Sequence, residues 1–388
     1  MEIIGIDVGF GFTKAYNGSN SVIFKSITGD ATDIQFNPGI GQDDSVSNLH
    51  VTIDNKSYFL GNFAEAQSRT WDFTLEQEKL LSDFVKILAI TAAGVCSEGS
   101  RPIKVVSGLP VGFYKRDKKR FKEAITGEHE ITFHNQNGRD VTKKINITAV
   151  QMIPQPIGSI FNHIMDDSGR ISDRELSMQK IGVIDIGFRT TDFSVFDHLK
   201  YIERSSTTMD TGISKCFSVI ANKLREESKV NVELFRMYHF IEKGMVKIRG
   251  KEYNIANLKK RVFSHAASAI ASDVNRLWQD DWDIDSIFLS GGGSTELAQY
   301  LQEEIQGHVV PVSTSGDARL NNVYGYLKFG RYKWGHSEPP KTSTPPAEPS
   351  GPDSSGTPTE KAKPQSQSPG DPHTPKNGKG MSWLKRQS

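Results

Sequence analysis

The feature that most constrains the fold is a duplicated segment. Ile3-Ile4-Gly5-Ile6-Asp7-Val8-Gly9 and Ile181-Gly182-Val183-Ile184-Asp185-Ile186-Gly187 each run an apolar, β-branched stretch into Asp-x-Gly, roughly 180 residues apart. Such a run describes a buried strand, and the glycine after the aspartate marks a tight turn before a second strand. Each copy opens a domain, and each domain carries an aspartate at the same position.

Between and beyond the copies, strands and helices alternate. Gly9, Gly11 and Gly18 punctuate a meander reaching Lys25. Residues 75–95 are expected to form one amphipathic helix with Leu81, Phe84, Val85 and Leu88 on its buried face. Residues 103–107 and 145–152 are expected strands, and 116–125 a charged surface helix on which Asp117 faces solvent beside Lys115, Arg116, Lys118 and Lys119. Pro154-Gln155-Pro156 leads into a helix ending near Met165. Helices are expected at about 211–227, 231–243 and 257–278, the last burying Leu258, Val262, Ala269, Ile270, Val274 and Leu277. A strand over 286–290 then runs into Gly291-Gly292-Gly293-Ser294-Thr295, followed by helices over 296–306 and 318–328.

Composition excludes several classes. With 47 Lys+Arg against 46 Asp+Glu, the chain has no bulk charge with which to bind nucleic acid directly. It has no signal-peptide start and no uncharged apolar run long enough to span a bilayer, so a cytoplasmic protein without membrane insertion is expected. Cys96 and Cys216 match no metal or redox spacing and are expected to be small buried hydrophobes. Residues 337–388 hold 11 of the 17 prolines and, proline aside, no apolar residue larger than Ala before Met381. Such a segment cannot offset its ordering entropy, so a disordered tether is expected. Its basic end contains Trp383 and Leu384, which either dock on a protein partner or stay solvated.

Three turns have the chemistry to bind phosphate through converging backbone N–H groups: Asp7 to Lys14, Asp185 to Asp192, and Gly291 to Ser294. Singly, each is more often a plain turn. Their duplication, the paired aspartates and the hydroxyls of Thr190 and Thr191 together point to a hydrated Mg²⁺ with a nucleoside triphosphate. Gly9-x-Gly11 lacks the third glycine and the following helix of a dinucleotide site, and no Gly-x-x-x-x-Gly-Lys-Ser/Thr occurs.

In order, the first phosphate turn, the Pro154-Gln155-Pro156 connector, the second phosphate turn, the Gly291 to Ser294 loop and the closing Asn321-Asn322-Val323-Tyr324-Gly325-Tyr326 segment resemble the actin and sugar-kinase superfamily. More narrowly, Val106-Ser107-Gly108-Leu109-Pro110-Val111-Gly112-Phe113-Tyr114 and Asp185-Ile186-Gly187-Phe188-Arg189-Thr190-Thr191-Asp192-Phe193 resemble the bacterial and archaeal actin-like proteins related to ParM. The resemblance implies an α/β actin-like fold with two related domains, each on a mixed sheet, and ATP in the cleft between them. The first domain would span 1–160, with the closing helix 318–330 packed back on it, and the second 161–330. It further implies that Asp7 and Asp185 hold Mg²⁺ through water, while Lys14 and the amides of Gly9, Phe10, Gly11 and Phe12 meet the β- and γ-phosphates. Gly187, Phe188, Arg189, Thr190 and Thr191 would form the opposing clamp, and Gly291, Gly292, Gly293 and Ser294 would lie along the ribose and α-phosphate. The adenine wall would come from the helix near 231–243. Gln155 stands where ParM-like proteins have a glutamate and eukaryotic actin a glutamine; it would orient the attacking water without accepting its proton. Arg189 reads first as solvent-facing, with a γ-phosphate contact as the alternative.

Three functions share this fold: a filament-forming ATPase, a small-molecule kinase, and a chaperone-like or purely regulatory ATPase. A kinase needs a carboxylate beside the acceptor hydroxyl, and the Gly108-Leu109-Pro110-Val111 turn offers none. A chaperone needs a separate substrate domain. The favoured reading is a cytoskeletal filament positioning or segregating plasmid DNA or an organelle, its partners being itself and an adaptor on the tail.

Overall fold

Strand β1 (Glu2–Val8) is buried from Ile4 to Val8, as its β-branched composition requires, and sits between two partners of opposite sense. It pairs antiparallel with β2 (Phe12–Tyr16) and parallel with β8 (Ile103–Leu109). The computed structural model describes residues 1–31, 49–134, 140–310 and 317–335; the Pro-rich segment 337–388 and its Trp-containing end lie outside them.

Among the described residues a ten-stranded sheet runs β3 (Ser21–Lys25), β2, β1, β8, β10 (Val141–Pro154), β9 (Gly127–Phe133), β5 (His50–Ile53), β6 (Lys56–Leu60), β4 (Thr28–Asp30), β7 (Trp71–Asp72). A five-stranded sheet runs β13 (Lys200–Met209), β12 (Thr191–Asp197), β11 (Lys180–Ile186), β16 (Ser286–Ser290), β17 (Val309–Val310), and β14 (Met245–Ile248) with β15 (Lys251–Asn254) form a separate hairpin. The second sheet repeats the first five strands of the larger one in order and sense. In each, an antiparallel hairpin is flanked by a further antiparallel strand on one side and by two parallel strands on the other. The fold is mixed α/β, and the two duplicated sequence segments, β1 and β11, occupy equivalent places in the two sheets.

The helices follow in chain order: α1 (Gly61–Gln67), α2 (Gln77–Leu80), α3 (Asp83–Cys96), α4 (Val111–Ile125), α5 (Gln155–Ile164), α6 (Arg174–Ser177), α7 (Ser214–Ser228), α8 (Met237–Lys243), α9 (Ala256–Leu277), α10 (Ser294–Glu304) and α11 (Asn321–Trp334). α11 packs against α5, β1 and β8, while α3 packs against β1 and β2. The α5–α11 crossing depends on glycine: a Cβ on Gly325 would fall 1.7 Å from the Gly158 carbonyl oxygen. Cys96 and Cys216 are buried thiols, and no described helix is long and apolar enough to cross a membrane.

Three expectations are corrected. The helix expected over 75–95 is broken at Leu81-Ser82, because the Ser82 hydroxyl accepts the Phe84 N–H and caps α3. α3 is then buried on nearly every side rather than two-faced. In α9 the buried stripe is Phe263, Ala267, Ile270, Ala271 and Val274, which leaves Ala269 exposed. Asp117 is not on a solvated face. α4 starts at Val111, and the i, i+4, i+8 row Asp117, Phe121, Ile125 points inward. There Asp117 is 3% exposed and accepts from Gln77 Nε2 at 3.1 Å and Arg116 Nε at 2.7 Å.

Candidate functional site

Strand register creates the site. In the β1–β2 hairpin Asp7 stands opposite Lys14, and their side chains form a 2.8 Å ion pair with the Asp7 carboxylate buried. In the β11–β12 hairpin the equivalent pair is Asp185 opposite Asp192. The two turns close alike, by Gly9 N–H to the Phe12 carbonyl (3.1 Å) and Gly187 N–H to the Thr190 carbonyl (2.8 Å).

Replacing a lysine by an aspartate at the second hairpin has an electrostatic consequence. Burial lifts the Asp192 carboxyl to about 7, with the nearby Asp185 charge adding to the rise against hydrogen bonds from Thr208 and Val111. Burial likewise lifts Asp185 to about 6, opposed by the Asn322 hydrogen bond and assisted by Asp7. Asn322 Nδ2 donates to Asp185 Oδ2 at 2.9 Å, Ser159 donates to Asn322 Oδ1 at 2.7 Å, and Ser159 also bonds Ser290. A buried polar chain from α11 and α5 thus fixes one oxygen of Asp185. Asp7 Oδ1 and Asp185 Oδ1 are buried without a hydrogen-bond partner among the described residues.

These turns open onto a cavity of about 920 Å³. Of the residues singled out in the sequence, Asp7, Gly9, Phe10, Gly11, Phe12, Lys14, Gln155, Asp185, Gly187, Phe188, Arg189, Thr190, Gly291, Gly292 and Gly293 line it. Thr191 and Ser294 lie behind the turns: the Thr191 hydroxyl donates to the Thr211 carbonyl and the Ser294 hydroxyl to the Gly291 carbonyl. Arg189 is not solvent-facing, since its side chain is 22% exposed and lies over the Phe10 ring at 5.1 Å. Gly291 has φ +81°, and a Cβ there would fall 2.3 Å from Asp185 Oδ1, so this loop presses against the aspartate in a way only glycine allows.

The rest of the lining was not nameable from sequence. α8 contributes Tyr238, Ile241 and Glu242, and α10 contributes Glu296, Gln299 and Gln302. Tyr238 contacts Phe12 (4.6 Å between ring centroids), Phe217 (5.0 Å) and Phe188 (5.2 Å), an aromatic box joining the two turns. Burial pushes its hydroxyl well above the usual tyrosine range. Arg319 lies over Phe12 at 5.1 Å and pairs with Asp317 at 2.6 Å.

Comparison with known proteins agrees with this architecture. The family model for the N-terminal domain of actin-like proteins matches residues 5–158, and that for the C-terminal domain of the archaeal MreB-like actin homologue matches 183–303. Among solved structures, a pCBH ParM described as a non-polymerisable quadruple mutant is 25% identical, with TM-score 0.73 over 85% of this chain and 99% of that one. The ParM of a 15-stranded filament from Clostridium botulinum is 24% identical, with TM-score 0.71 over 85% and 99%. An archaeal actin homologue in complex with ADP is 20% identical, with TM-score 0.70 over 86% and 100%. No curated protein matches the sequence. The chain belongs to the actin-like proteins, with its solved neighbours among ParM and archaeal actin homologues.

Proposed function

We propose that this chain is a cytoplasmic ATPase that assembles into nucleotide-dependent filaments to position or segregate a cargo such as plasmid DNA or an organelle. The observation that carries the ATP reading is the pair of buried, unpartnered oxygens, Asp7 Oδ1 and Asp185 Oδ1, supplied by two equivalent hairpins to one cavity. A cation is the ligand such oxygens fit. A Mg²⁺ held through water by these two carboxylates and by phosphate oxygens would need no further protein ligand. Bound there, Mg²⁺ would neutralise phosphate charge.

The chain's own groups have separable tasks. Gly9 and Gly187 spend their N–H groups closing the turns, so phosphate contact falls to the amides of Phe10, Gly11, Phe12, Phe188 and Arg189, with Lys14 and Thr190 beside them. The Gly291 to Gly293 loop would run along the ribose and α-phosphate, and the α8 face of Tyr238, Ile241 and Glu242 would take the base. Gln155 would orient a water whose oxygen bonds the γ-phosphorus as the bond to the β–γ bridging oxygen breaks, giving ADP and inorganic phosphate. The halves 1–160 and 161–330, each on its own sheet, would act as the two domains. The filament described for the Clostridium botulinum neighbour supports self-assembly.

Sedimentation of the full chain over a concentration series, with ATP and Mg²⁺, with ADP, and without nucleotide, tests the reading. Pelleting only with nucleotide is expected. A protein that stays monomeric at tens of micromolar and phosphorylates a metabolite would establish the kinase instead. Truncation after Gly335 is expected to leave ATPase and assembly intact and to remove adaptor attachment.

A further inference from the structure

The two segments most distinctive in the sequence, Gly108 to Tyr114 and Asp185 to Phe193, meet each other in the fold. Pro110 precedes α4 and has no side chain with which to cap it. The first amides of the helix are capped from the other sheet instead: Val111 N–H donates to Asp192 Oδ1 at 2.8 Å and Gly112 N–H to Thr208 Oγ1 at 2.7 Å. Thr208 Oγ1 in turn donates to Asp192 Oδ1 at 2.5 Å, and Lys115 pairs with Glu203 on the same seam. The start of α4 is therefore docked on the strand that carries the second phosphate turn.

Arg189 occupies the joint. Its guanidinium lies over Phe10, in the first phosphate turn, at 5.1 Å and over Phe113, in the first turn of α4, at 5.7 Å. Its one carboxylate partner among the described residues is Asp210, at 3.5 Å with the aspartate side chain 66% exposed, a pairing that solvent screens heavily. Arg189 Nη1 is buried without a partner among the described residues. A guanidinium held by ring faces, weakly paired and with a donor unsatisfied beside a phosphate-type turn suits a planar fork of anionic oxygens. Its place along the cavity identifies which phosphate. Leu109 and Pro110 line the cavity just ahead of Phe113, and the β8–β10 register sets Leu109 opposite Pro154, next to Gln155. The reading above puts Gln155 at the attacking water, so the terminal phosphate falls at this end of the cavity, beside Leu109, Pro110 and Arg189.

We propose that Arg189 is the residue that distinguishes ATP from ADP in this site, by contacting the γ-phosphate, and that Phe113 is a positioning residue that holds it there from the other half. The proposal rests on the ATP reading above and adds to it a specificity determinant and a physical link from the γ-phosphate to α4. Because Phe113 is outside the cavity lining, its effect on nucleotide choice passes through Arg189.

The test is equilibrium titration of the full chain, with Mg²⁺, by ATP, a non-hydrolysable ATP analogue and ADP. Arg189→Met is expected to lower the ATP-to-ADP affinity ratio by about tenfold or more while ADP affinity stays within about threefold. Phe113→Ala should lower the same ratio, and Phe113→Tyr, which keeps the ring face, should retain it. If Phe113→Ala melts without cooperativity, Phe113→Leu replaces it: a lowered ratio supports the proposal and a parental ratio overturns it. Equal weakening of ATP and ADP by Arg189→Met, or a parental ratio in Phe113→Ala, also overturns it. A parent protein that binds neither nucleotide overturns the ATP reading itself, and is told apart because it fails before any substitution is made.

Discussion

Asn322 donates a 2.9 Å hydrogen bond to the Asp185 carboxylate, and the two residues, 137 positions apart, are both buried. Burial favours the protonated acid at Asp185, lifting it to about 6, and Asn322 opposes that shift. The closing helix α11 therefore helps keep a carboxylate charged in a place that disfavours charge.

Asn322→Ala is expected to move the Asp185 carboxyl further up, so that more of it is protonated at pH 7. Mg-nucleotide affinity should fall by about tenfold at pH 7 and recover toward the parent value above pH 8. Titrations across pH check this. A loss of equal size at every pH would make Asn322 a packing residue only.

Asp192, lifted from an ordinary 3.8 to about 7, gives the fold a pH dependence of definite sign. A carboxyl whose folded value is raised binds its proton more tightly in the folded state, so its contribution to stability is complete below about pH 4 and lost as pH rises through about 7. Asp192→Asn keeps an oxygen acceptor for Val111 and Thr208 without the charge. The variant should be more stable than the parent at pH 8, by on the order of 1–3 kcal/mol, with the gap closing toward pH 5. Denaturant melts at the two pH values decide it, and an unchanged gap would show that the charge is not what costs stability. Asp185 leaves a residual dependence of the same sign in both proteins.

Much of this site was legible in the sequence because it is local. The strand ending in Asp-x-Gly is written by β-branched residues and one glycine, and it recurs with its turn intact roughly 180 residues further on. What was not legible depends on partners far apart in sequence. Nothing in Asn321-Asn322 announces a bond to Asp185, and Tyr238 lies on a helix of only seven residues, too short to show a period. Asp117 was misplaced because its charged neighbours outweighed the i, i+4 row it shares with Phe121 and Ile125. The β14–β15 hairpin left a signal that went unused: Arg249-Gly250 has positive φ at both residues, +50° and +84°, the turn that suits a two-residue hairpin.

Gly291→Ala is expected to remove nucleotide binding in a protein that still folds. At φ +81° an alanine is strained by about 1–3 kcal/mol, and its methyl would sit 2.3 Å from Asp185 Oδ1 and 2.4 Å from the Ile186 carbonyl oxygen, so the loop must move away from the end of β11. Gly292→Ala is the control, because a Cβ there meets only the Arg319 side chain, at 3.3 Å. Circular dichroism with ATP titration separates the two. Equal binding by both variants would remove the Gly291 loop from the site.

Asp185→Ala and Gln155→Ala should fail in different ways. Both residues line the cavity, but only Asp185 brings a buried, unpartnered carboxylate oxygen to it. Removing that oxygen takes away half of the pair suited to a hydrated cation, so Asp185→Ala is expected to lose Mg²⁺-dependent nucleotide binding and, with it, all measurable hydrolysis. Gln155 follows Pro154 as the first residue of α5 and lines the cavity. That amide is unable to take a proton from water, so it contributes orientation alone, and its loss should slow turnover by about 10- to 100-fold with ATP affinity within about threefold. Steady-state hydrolysis measured alongside direct ATP binding shows the split. Hydrolysis at the parent rate in Gln155→Ala would take the connector out of the chemistry, and a matching loss of binding in both variants would mean that Gln155 holds nucleotide rather than water.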